Sequence, residues 1–564
     1  MGFFYALTER AYILHIYPIF VDIYVQLDII ISISTRGEHM IENISLETLS
    51  LGIELGSTRI KGVLINSSGD IVATGEYDWE NQLVDKVWTY DLKKVWEGVQ
   101  SVYADIKLSV HSKYGLRITK LGSIGFSAMM HGYLAFDKND ELLVPFRTWR
   151  NSTTQEAELE LTEKFNHNIP QRWSIAHYYQ AVLNKEKHIP NVDFITTLAG
   201  YVHWKLTDSK SLGINDASGM FPIDSKIKNY DENLIQIMNQ LLVDKGIETK
   251  IEDILPTSLL AGQEAGVLSQ AGALLLDPQG DLLPGIVFAP PEGDAGTGMI
   301  ATNAVEKNTG NISAGTSVFA MIVLEKALKQ VYPEIDIVMT PQGYPVAMVH
   351  VNNCTSEINA WANLFKDFSE RMGISVDTNK LYEVLFNAAL ESDDGLEGIL
   401  SYGYHSGENI TKVTEGRPLL VRQPDANFNV ANLMRSHIES AFATLNIGMQ
   451  ILFNEGIKLD LIVGHGGIFK TEGVAQKIVA TAVETPLTLM KTASEGGAWG
   501  MAVLAQYLLH NETELSHYLN NVIFADVETT TMAPTSEEIE DYRQFVKRYE
   551  KGLAIEKIAI ESFE

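Results

Sequence analysis

Ile53-Glu54-Leu55-Gly56-Ser57-Thr58 and Ile312-Ser313-Ala314-Gly315-Thr316-Ser317 are the two stretches that decide the fold. Each is an apolar strand that runs into a turn of small residues and then into a second apolar strand. Working outward from the first copy, Leu49 to Leu55, Ile60 to Asn66 and Ile71 to Glu76 read as short strands, the last two joined by Ser67-Ser68-Gly69-Asp70. That is an antiparallel meander. Tyr90 to Tyr114 then carries Leu92, Val95, Trp96, Val99, Val102, Tyr103 and Ile106 at helical spacing, and the apolar strand Leu121 to Phe126 follows. Alternating strands and helices predict an α/β domain. The second copy restarts the pattern, so a duplicated domain is expected, with the break at about residue 305, in the polar stretch Val305 to Asn311. A chain of 564 residues is too long for one ordinary core and agrees with two domains. Further on, Val430, Leu433, Met434, Ile438, Ala441, Leu445, Met449 and Leu452 form the stripe of a long helix ending near Gly456. Strand Leu459 to Val463 leads from it into Gly464-His465-Gly466-Gly467. Residues 534–564 read as a solvated helical tail whose charges form an exposed face.

The charge balance excludes some partners. With 43 basic and 72 acidic residues the formal charge is -29, which repels nucleic acid and anionic membrane surfaces. An anionic small ligand remains open, because backbone amides, helix N-termini and a bound cation can build a phosphate site. One cysteine, Cys354, permits no internal disulfide, and a reducing cytoplasm fits best.

The opening 39 residues stand apart. Ala11 to Ser34 is apolar, but Pro18 interrupts it and it holds His15, Asp22 and Asp28. Each Asp near a bilayer centre costs roughly 2.5 to 3.5 kcal/mol, which argues against a spanning helix. The start has no basic cluster and no small-residue cleavage site follows, so a signal peptide fits poorly too. Arg36-Gly37-Glu38-His39-Met40 can be encoded as AGG GGA GAA CAT ATG, a purine-rich ribosome-binding sequence ahead of a start codon. Met40 is therefore expected to be the initiator and residues 1–39 a translated leader outside the fold.

Turns Gly56-Ser57-Thr58, Gly315-Thr316-Ser317 and Gly464-His465-Gly466-Gly467 each follow a predicted strand. Glycine admits an anion close to the backbone, and the free amides and hydroxyls donate to phosphate oxygens. None has Walker A spacing, and the Gly464 cluster lacks the dinucleotide-binding pattern, which disfavours P-loop and Rossmann readings. Pro290-Pro291-Glu292-Gly293-Asp294-Ala295-Gly296-Thr297-Gly298 follows the apolar strand Gly285 to Ala289. Acids at the carboxyl end of a strand lie where open α/β sheets bind ligands. Asp294 is thus a candidate catalytic carboxylate, and a candidate cap of the helix that starts near Ala295.

Taken together these elements resemble the FGGY carbohydrate kinases, closest in pattern to the xylulokinase-like members, from about Leu51 to about Gln506. Gly52 to Lys61 resembles the family's first phosphate motif, Met130-His131-Gly132 its sugar-site motif, and Trp149-Arg150-Asn151 a further segment near the sugar. Asn215-Asp216-Ala217-Ser218-Gly219 is similar to another family element, and Gly293-Asp294-Ala295 to the loop that bears the catalytic aspartate. Gly315-Thr316-Ser317 resembles the second phosphate motif, and Ser406-Gly407-Glu408 a loop of the second domain. Gly464 to Gly467 with Glu495 to Gly500 resembles the adenosine-binding end. Two positions depart from the pattern. Glu54 stands where the family has a magnesium-holding Asp, and Asn151 where many members carry Asp.

The resemblance implies two actin-like, ribonuclease H-like α/β domains with a central ligand cleft. Residues 45–304 are expected to form an N-terminal FGGY domain with the sugar site and base, and 305–530 a C-terminal FGGY domain with the nucleotide. It further implies transfer of the γ-phosphate of ATP to a hydroxyl of a small carbohydrate, with Asp294 as base. Met130, His131, Gly132, Trp149, Asn151 and Asp294 would hold the sugar, and Glu54 the Mg2+. Gly56, Ser57, Thr58, Lys61, Gly315, Thr316, Gly407, Gly464, Gly466 and Gly467 would hold ATP. A ketopentose such as xylulose is the expected acceptor; another sugar, a polyol or a sugar-derived signal stays open, as does an actin- or chaperone-like ATPase. Neither nucleic acid nor membrane is an expected partner, and a homodimer is allowed.

Overall fold

The computed structural model describes residues 45–393, 396, 398–471, 473–490 and 496–563. The leader expected at 1–39 and Glu495 of the glycine-rich motif lie outside the described residues. Strands β1 (Ser50–Leu55), β2 (Arg59–Ile65) and β3 (Ile71–Asp78) form the antiparallel meander. Helix α1 (Leu92–Tyr114) returns the chain to β4 (Ser123–Ala128), which lies parallel to β1. Far along the chain, β5 (Val287–Phe288) and β6 (Glu292–Gly293) pair in parallel with β4, and α2 (Asp294–Ala301) leaves at once. Of the expected strand Gly285 to Ala289 only Val287–Phe288 forms, and a second short strand, Glu292–Gly293, follows Pro290 and Pro291, which cannot donate to a ladder. The sheet order is β5–β4–β1–β2–β3, with β6 also on β4. Both central strands are buried on two faces, and for that reason read as continuous apolar runs instead of alternating ones. Helix α1 buries Val95, Val99, Val102 and Ile106, is capped by the Asp91 side chain, and ends at left-handed Gly115.

The second sheet repeats the plan. Strands β7 (Thr309–Ala314), β8 (Val318–Val323), β9 (Ile335–Met339) and β10 (Pro345–Val351) are followed by helix α3 (Val430–Asn454), then β11 (Leu461–His465) and β12 (Leu487–Met490). Helix α4 (Gly496–Leu508), β13 (Thr529–Met532) and α5 (Ser536–Ser562) complete the chain. The order β9–β10–β8–β7–β11–β12–β13 places β11 parallel to β7, as β4 is to β1. Antiparallel β7–β8–β10 repeats β1–β2–β3.

Two features depart from a simple duplication. Helix α4, from the end of the chain, packs beside α2 and against β1 and β4 of the first sheet, where Ala498, Met501 and Ala502 join one core with Met299 and Ile300. The tail is also not a solvated helix on all sides. Helix α5 docks on the second core through Tyr542, Phe545, Val546 and Tyr549, and its Glu556 is fully buried, accepting the Arg417 amide at 2.7 Å. Those aromatic residues at helical spacing outweigh the charged face on the other side. No helix among the described residues is long and apolar enough to cross a membrane.

Candidate active site

The carboxyl ends of parallel β1, β4 and β6 converge on one place. Gly293 is the cap residue of α2 and Asp294 its first helical residue, one position past the one a capping role requires, because the helix starts one residue earlier than expected. Asp294 is exposed, and its Oδ1 accepts the amides of Met130 at 3.2 Å and Ala295 at 2.9 Å. Solvent reaches the residue, but the chain crowding around the carboxyl strips enough of its hydration to push it above the ordinary range, and those amides pull it back. The side chain is therefore fixed in direction and raised in basicity, as proton abstraction needs.

Acids gather around it. Glu54, in β1, is pushed up to about 7, chiefly by burial and next by the negative charge of Asp294, against the Ala498 amide and Lys61 across the β1–β2 pair. The Ala498 amide belongs to the first turn of α4, so Glu54 ties that helix end to β1. A Cβ at residue 497 would lie 2.4 Å from Glu54 Oε1 and 2.8 Å from Thr297 Oγ1, so any side chain there would push the Glu54 carboxyl aside. Asp216 and Glu292 lie deeper, both fully buried. Asp216 Oδ2 accepts the Thr197 hydroxyl at 2.6 Å, and Glu292 accepts the Asp216 amide at 3.2 Å. Burial first and the charge of Asp294 second push Asp216 up to about 7, and burial holds Glu292 well above the ordinary range.

A raised carboxyl costs nothing below its unfolded value, destabilises the fold progressively as pH rises from that value to the folded one, and adds no further cost above it. For Asp216, from 3.8 to about 7, the cost grows across that window to about 4 kcal/mol. Replacing Asp216 with Asn is expected to leave stability at pH 4 near that of the parent and to raise it at pH 8, read from urea midpoints across pH. An unchanged slope between those pH values would contradict the assignment.

Met130, His131 and Gly132 form the turn that follows β4. His131 has φ 70° and Gly132 φ 93°, consecutive left-handed residues, and the former is a strained conformation of the kind that collects at binding sites. Burial pushes the His131 ring down to about 3, so it is neutral. Its Nδ1 donates to the Gly219 carbonyl at 3.3 Å, which leaves Nε2 as an acceptor. Trp173 stacks on this ring with centroids 6.3 Å apart.

The two phosphate turns are built alike. In the first, the Gly56, Ser57 and Thr58 carbonyls accept the Trp79 indole at 2.7 Å, the Tyr90 hydroxyl at 2.6 Å and the Trp79 amide at 3.1 Å. In the second, the Gly315 carbonyl accepts the amide and hydroxyl of Thr355, and the Thr316 carbonyl the amide of Cys354. The Gly56 and Gly315 amides close their own turns on the Arg59 and Ser317 carbonyls at 2.9 and 2.8 Å, so with the carbonyls held back it is the amides and hydroxyls of Ser57, Thr58 and Thr316 that are left for an anion. Gly315 and Gly467 line a cavity of about 970 Å³ together with Thr355, Asn359, Tyr382 and Phe386, a size that suits a nucleotide. Gly466 sits behind it at φ 122°, where a Cβ would meet the Ala314 carbonyl at 2.1 Å. Gly464 packs against Phe469 and Leu489.

Not every expected residue comes to the site. Asn151 is buried and spends its amide on the backbone: Oδ1 accepts the Trp88 amide at 2.9 Å, and Nδ2 donates to the Trp88 and Thr148 carbonyls at 2.8 and 3.0 Å. It holds a loop against a hairpin, which an amide does and a carboxylate cannot. Trp149 is half-exposed, with the Arg150 guanidinium 5.7 Å from its ring centre. Gly407 lies outside the cavity lining, in a loop whose carbonyls accept from Asn352 and Asn353. No motif marks Trp79, Tyr90 or Trp173, whose partners are distant in the chain, and the sequence marks Glu292 only as one acid of the segment before α2.

Among the described residues no group of three or more His, Cys, Asp or Glu could hold a metal. Glu54, beside Asp294, suits a hard divalent cation that brings phosphate and water as its other ligands. Their mutual repulsion is what such a cation would relieve.

The family model described as the FGGY family of carbohydrate kinases, N-terminal domain, matches residues 49–273, and its C-terminal counterpart matches 310–509. The chain belongs to the FGGY family of carbohydrate kinases. It is therefore a phosphotransferase with an alcohol group as acceptor, which sets aside the ATPase alternative. A xylulose kinase of Haemophilus influenzae is 22% identical over 88% of this chain and 98% of its own. A gluconokinase of Bacillus licheniformis is 23% identical over 64% and 68%. Among solved structures, a Brucella ovis protein titled xyloylose kinase superposes with TM-score 0.72 at 16% identity, over 92% of this chain and 100% of its own. A Plasmodium falciparum glycerol kinase with ADP superposes with TM-score 0.70 at 14% identity, over 89% and 98%. The fold of this FGGY kinase is the two-domain, actin-like one.

Proposed function

We propose that this FGGY kinase phosphorylates a ketopentose such as xylulose, with ATP as donor and Asp294 as the base. The observation that carries the reading is the Asp294 carboxylate, held by the Met130 amide directly beside the Met130-His131-Gly132 turn. The relative that matches over nearly the whole of both chains is named a xylulose kinase, while the gluconokinases match a shorter share.

In this account residues 45–304 hold the sugar and 305–530 the nucleotide. The sugar hydroxyl lies against Asp294, and His131 Nε2 accepts from a second hydroxyl. Asp294 takes the proton as the hydroxyl oxygen bonds to the γ-phosphorus and the bond to the β-phosphate oxygen breaks, releasing ADP. Amides and hydroxyls of Ser57, Thr58 and Thr316 donate to the phosphate oxygens, with Gly56 and Gly315 letting them approach, and Lys61 supplies positive charge beside Glu54. Mg2+, held through Glu54, would neutralise charge on the transferring group. Closure of the two halves would exclude water and limit idle hydrolysis. The single cysteine, Cys354, is a buried thiol, in keeping with a reducing cytoplasm.

Coupled ADP release with a panel of ketopentoses, polyols and aldonates tests the substrate. Stimulation by ketopentoses above the others supports the reading; a response only to gluconate or glycerol would replace the substrate, and no response at all would remove the function. In the same assay, Trp79→Phe deletes the indole bond to the Gly56 carbonyl, and KM for ATP is expected to rise about fivefold from the loss of about 1 kcal/mol. An unchanged KM would show that the first turn does not depend on this anchor.

A further inference from the structure

We propose that Asn215 positions Asp294 by tying the first turn of α2 to the end of strand β9 in the other half of the molecule. Asn215 lies in the short helix Ile214–Ser218 and is fully buried. Its Oδ1 accepts the amide of Gly296, two residues beyond Asp294, at 3.0 Å. Its Nδ2 donates to the Met339 carbonyl, at the end of β9, at 2.6 Å. Ser218 completes the grip: its hydroxyl accepts the Met339 amide at 3.0 Å and donates to the Asn215 carbonyl at 2.6 Å. Both backbone groups of Met339 are thereby held by one turn.

The same turn grips the other side of Asp294. Glu292, two residues before it, accepts the backbone amides of Asn215 and Asp216. Asp294 is thus flanked by two attachments to a single turn, one through Glu292 and one through the Asn215 side chain. The fit leaves no room for a side chain beside it. A Cβ at Gly296 would lie 2.6 Å from both Cγ and Oδ1 of Asn215, and one at Gly293 would lie 3.0 Å from Oδ1. An amide is the group that can accept from Gly296 and donate to Met339 at once, each with fixed geometry.

The mechanical consequence follows from the connectivity. A shift of β9 relative to the first half is passed through Asn215 to the helix that starts at Asp294, so the carboxylate is aimed only when the two halves are in register. Asn215 touches no substrate in this arrangement and acts through Asp294. The inference rests on Asp294 being the base.

Full-length Asn215→Ala and Ser218→Ala are compared with the parent and with Asp294→Asn, using D-xylulose and MgATP. Single-turnover transfer gives the chemical rate, and titrations give Kd for each ligand. Asn215→Ala is expected to lower the transfer rate about 10- to 100-fold, the usual result of misplacing a reacting group. Both Kd values should stay within about threefold, a split that general loss of structure does not produce. Ser218→Ala, which keeps the Gly296 bond, should lower the rate about threefold, in line with one lost hydrogen bond. A parent-like rate in folded Asn215→Ala overturns the proposal; should that variant not fold, a parent-like rate in Ser218→Ala does so. If Asp294→Asn itself transfers at the parent rate, the assignment of the base fails instead, and the two failures are told apart.

Discussion

Asp294→Asn is expected to bind sugar and ATP like the parent and to transfer phosphate at least about a hundredfold more slowly, the lower end of what a positioned general base contributes. The substitution is nearly isosteric, and Asn can still accept the amides of Met130 and Ala295 that orient the side chain. It removes the proton acceptor and little else. It also removes the charge that helps raise Glu54 and Asp216, so both should ionise more readily in the variant. Rapid-quench transfer rates together with ligand Kd values check this. A rate within about tenfold of the parent at unchanged Kd would mean that another group takes the proton.

The second large effect is structural. In Gly52→Ala the new methyl would lie 2.2 Å from the Ala502 nitrogen and 2.3 Å from the Ala498 carbonyl oxygen, both backbone atoms of α4. Backbone does not turn aside as a long side chain can, so β1 and α4 must separate. That separation also draws the Ala498 amide away from Glu54. Overpacking of this kind costs typically 1–3 kcal/mol, and about 3 kcal/mol is expected here because backbone is met on two sides. Gly298→Ala is the control: it lies in α2 with nothing within 4 Å of the added methyl. It should be neutral, or more stable by up to about 1 kcal/mol through helix propensity. Thermal unfolding of both variants decides the matter, and a Gly52→Ala midpoint equal to that of Gly298→Ala would contradict the close packing of α4 on β1.

Local features of the chain were legible before its structure was. The strand-turn-strand copies at Ile53 and Ile312, the stripe of α1 and the acid loop at Asp294 each lie within a few residues, where period and turn chemistry act directly. The likeness to the FGGY family added the order of the motifs and, with it, the actin-like plan.

What could not be read depends on contacts between distant residues. Nothing near Gly496 says that α4 returns to the first sheet; that follows only from the small residues Gly52, Gly497 and Ala502 meeting across the molecule. The tail looked solvated because its charges are conspicuous, whereas Tyr542, Phe545 and Tyr549 bury against a surface made elsewhere. Asn151 looked like a sugar ligand from its neighbours in sequence, but its amide matches the open backbone groups of Trp88. Trp79 and Tyr90 belong to no motif, yet they are what turns the Gly56-Ser57-Thr58 carbonyls away from the anion side.

The central claim is that the Asp294 carboxylate meets the hydroxyl that is phosphorylated, and one distance tests it most directly. In a crystal structure of the complex with D-xylulose and a non-hydrolysable ATP analogue, an Asp294 carboxylate oxygen should lie about 2.6–3.2 Å from the sugar hydroxyl that points at the γ-phosphorus. A sugar bound with that hydroxyl out of reach of Asp294, or with the γ-phosphate away from both glycine turns, would contradict the account.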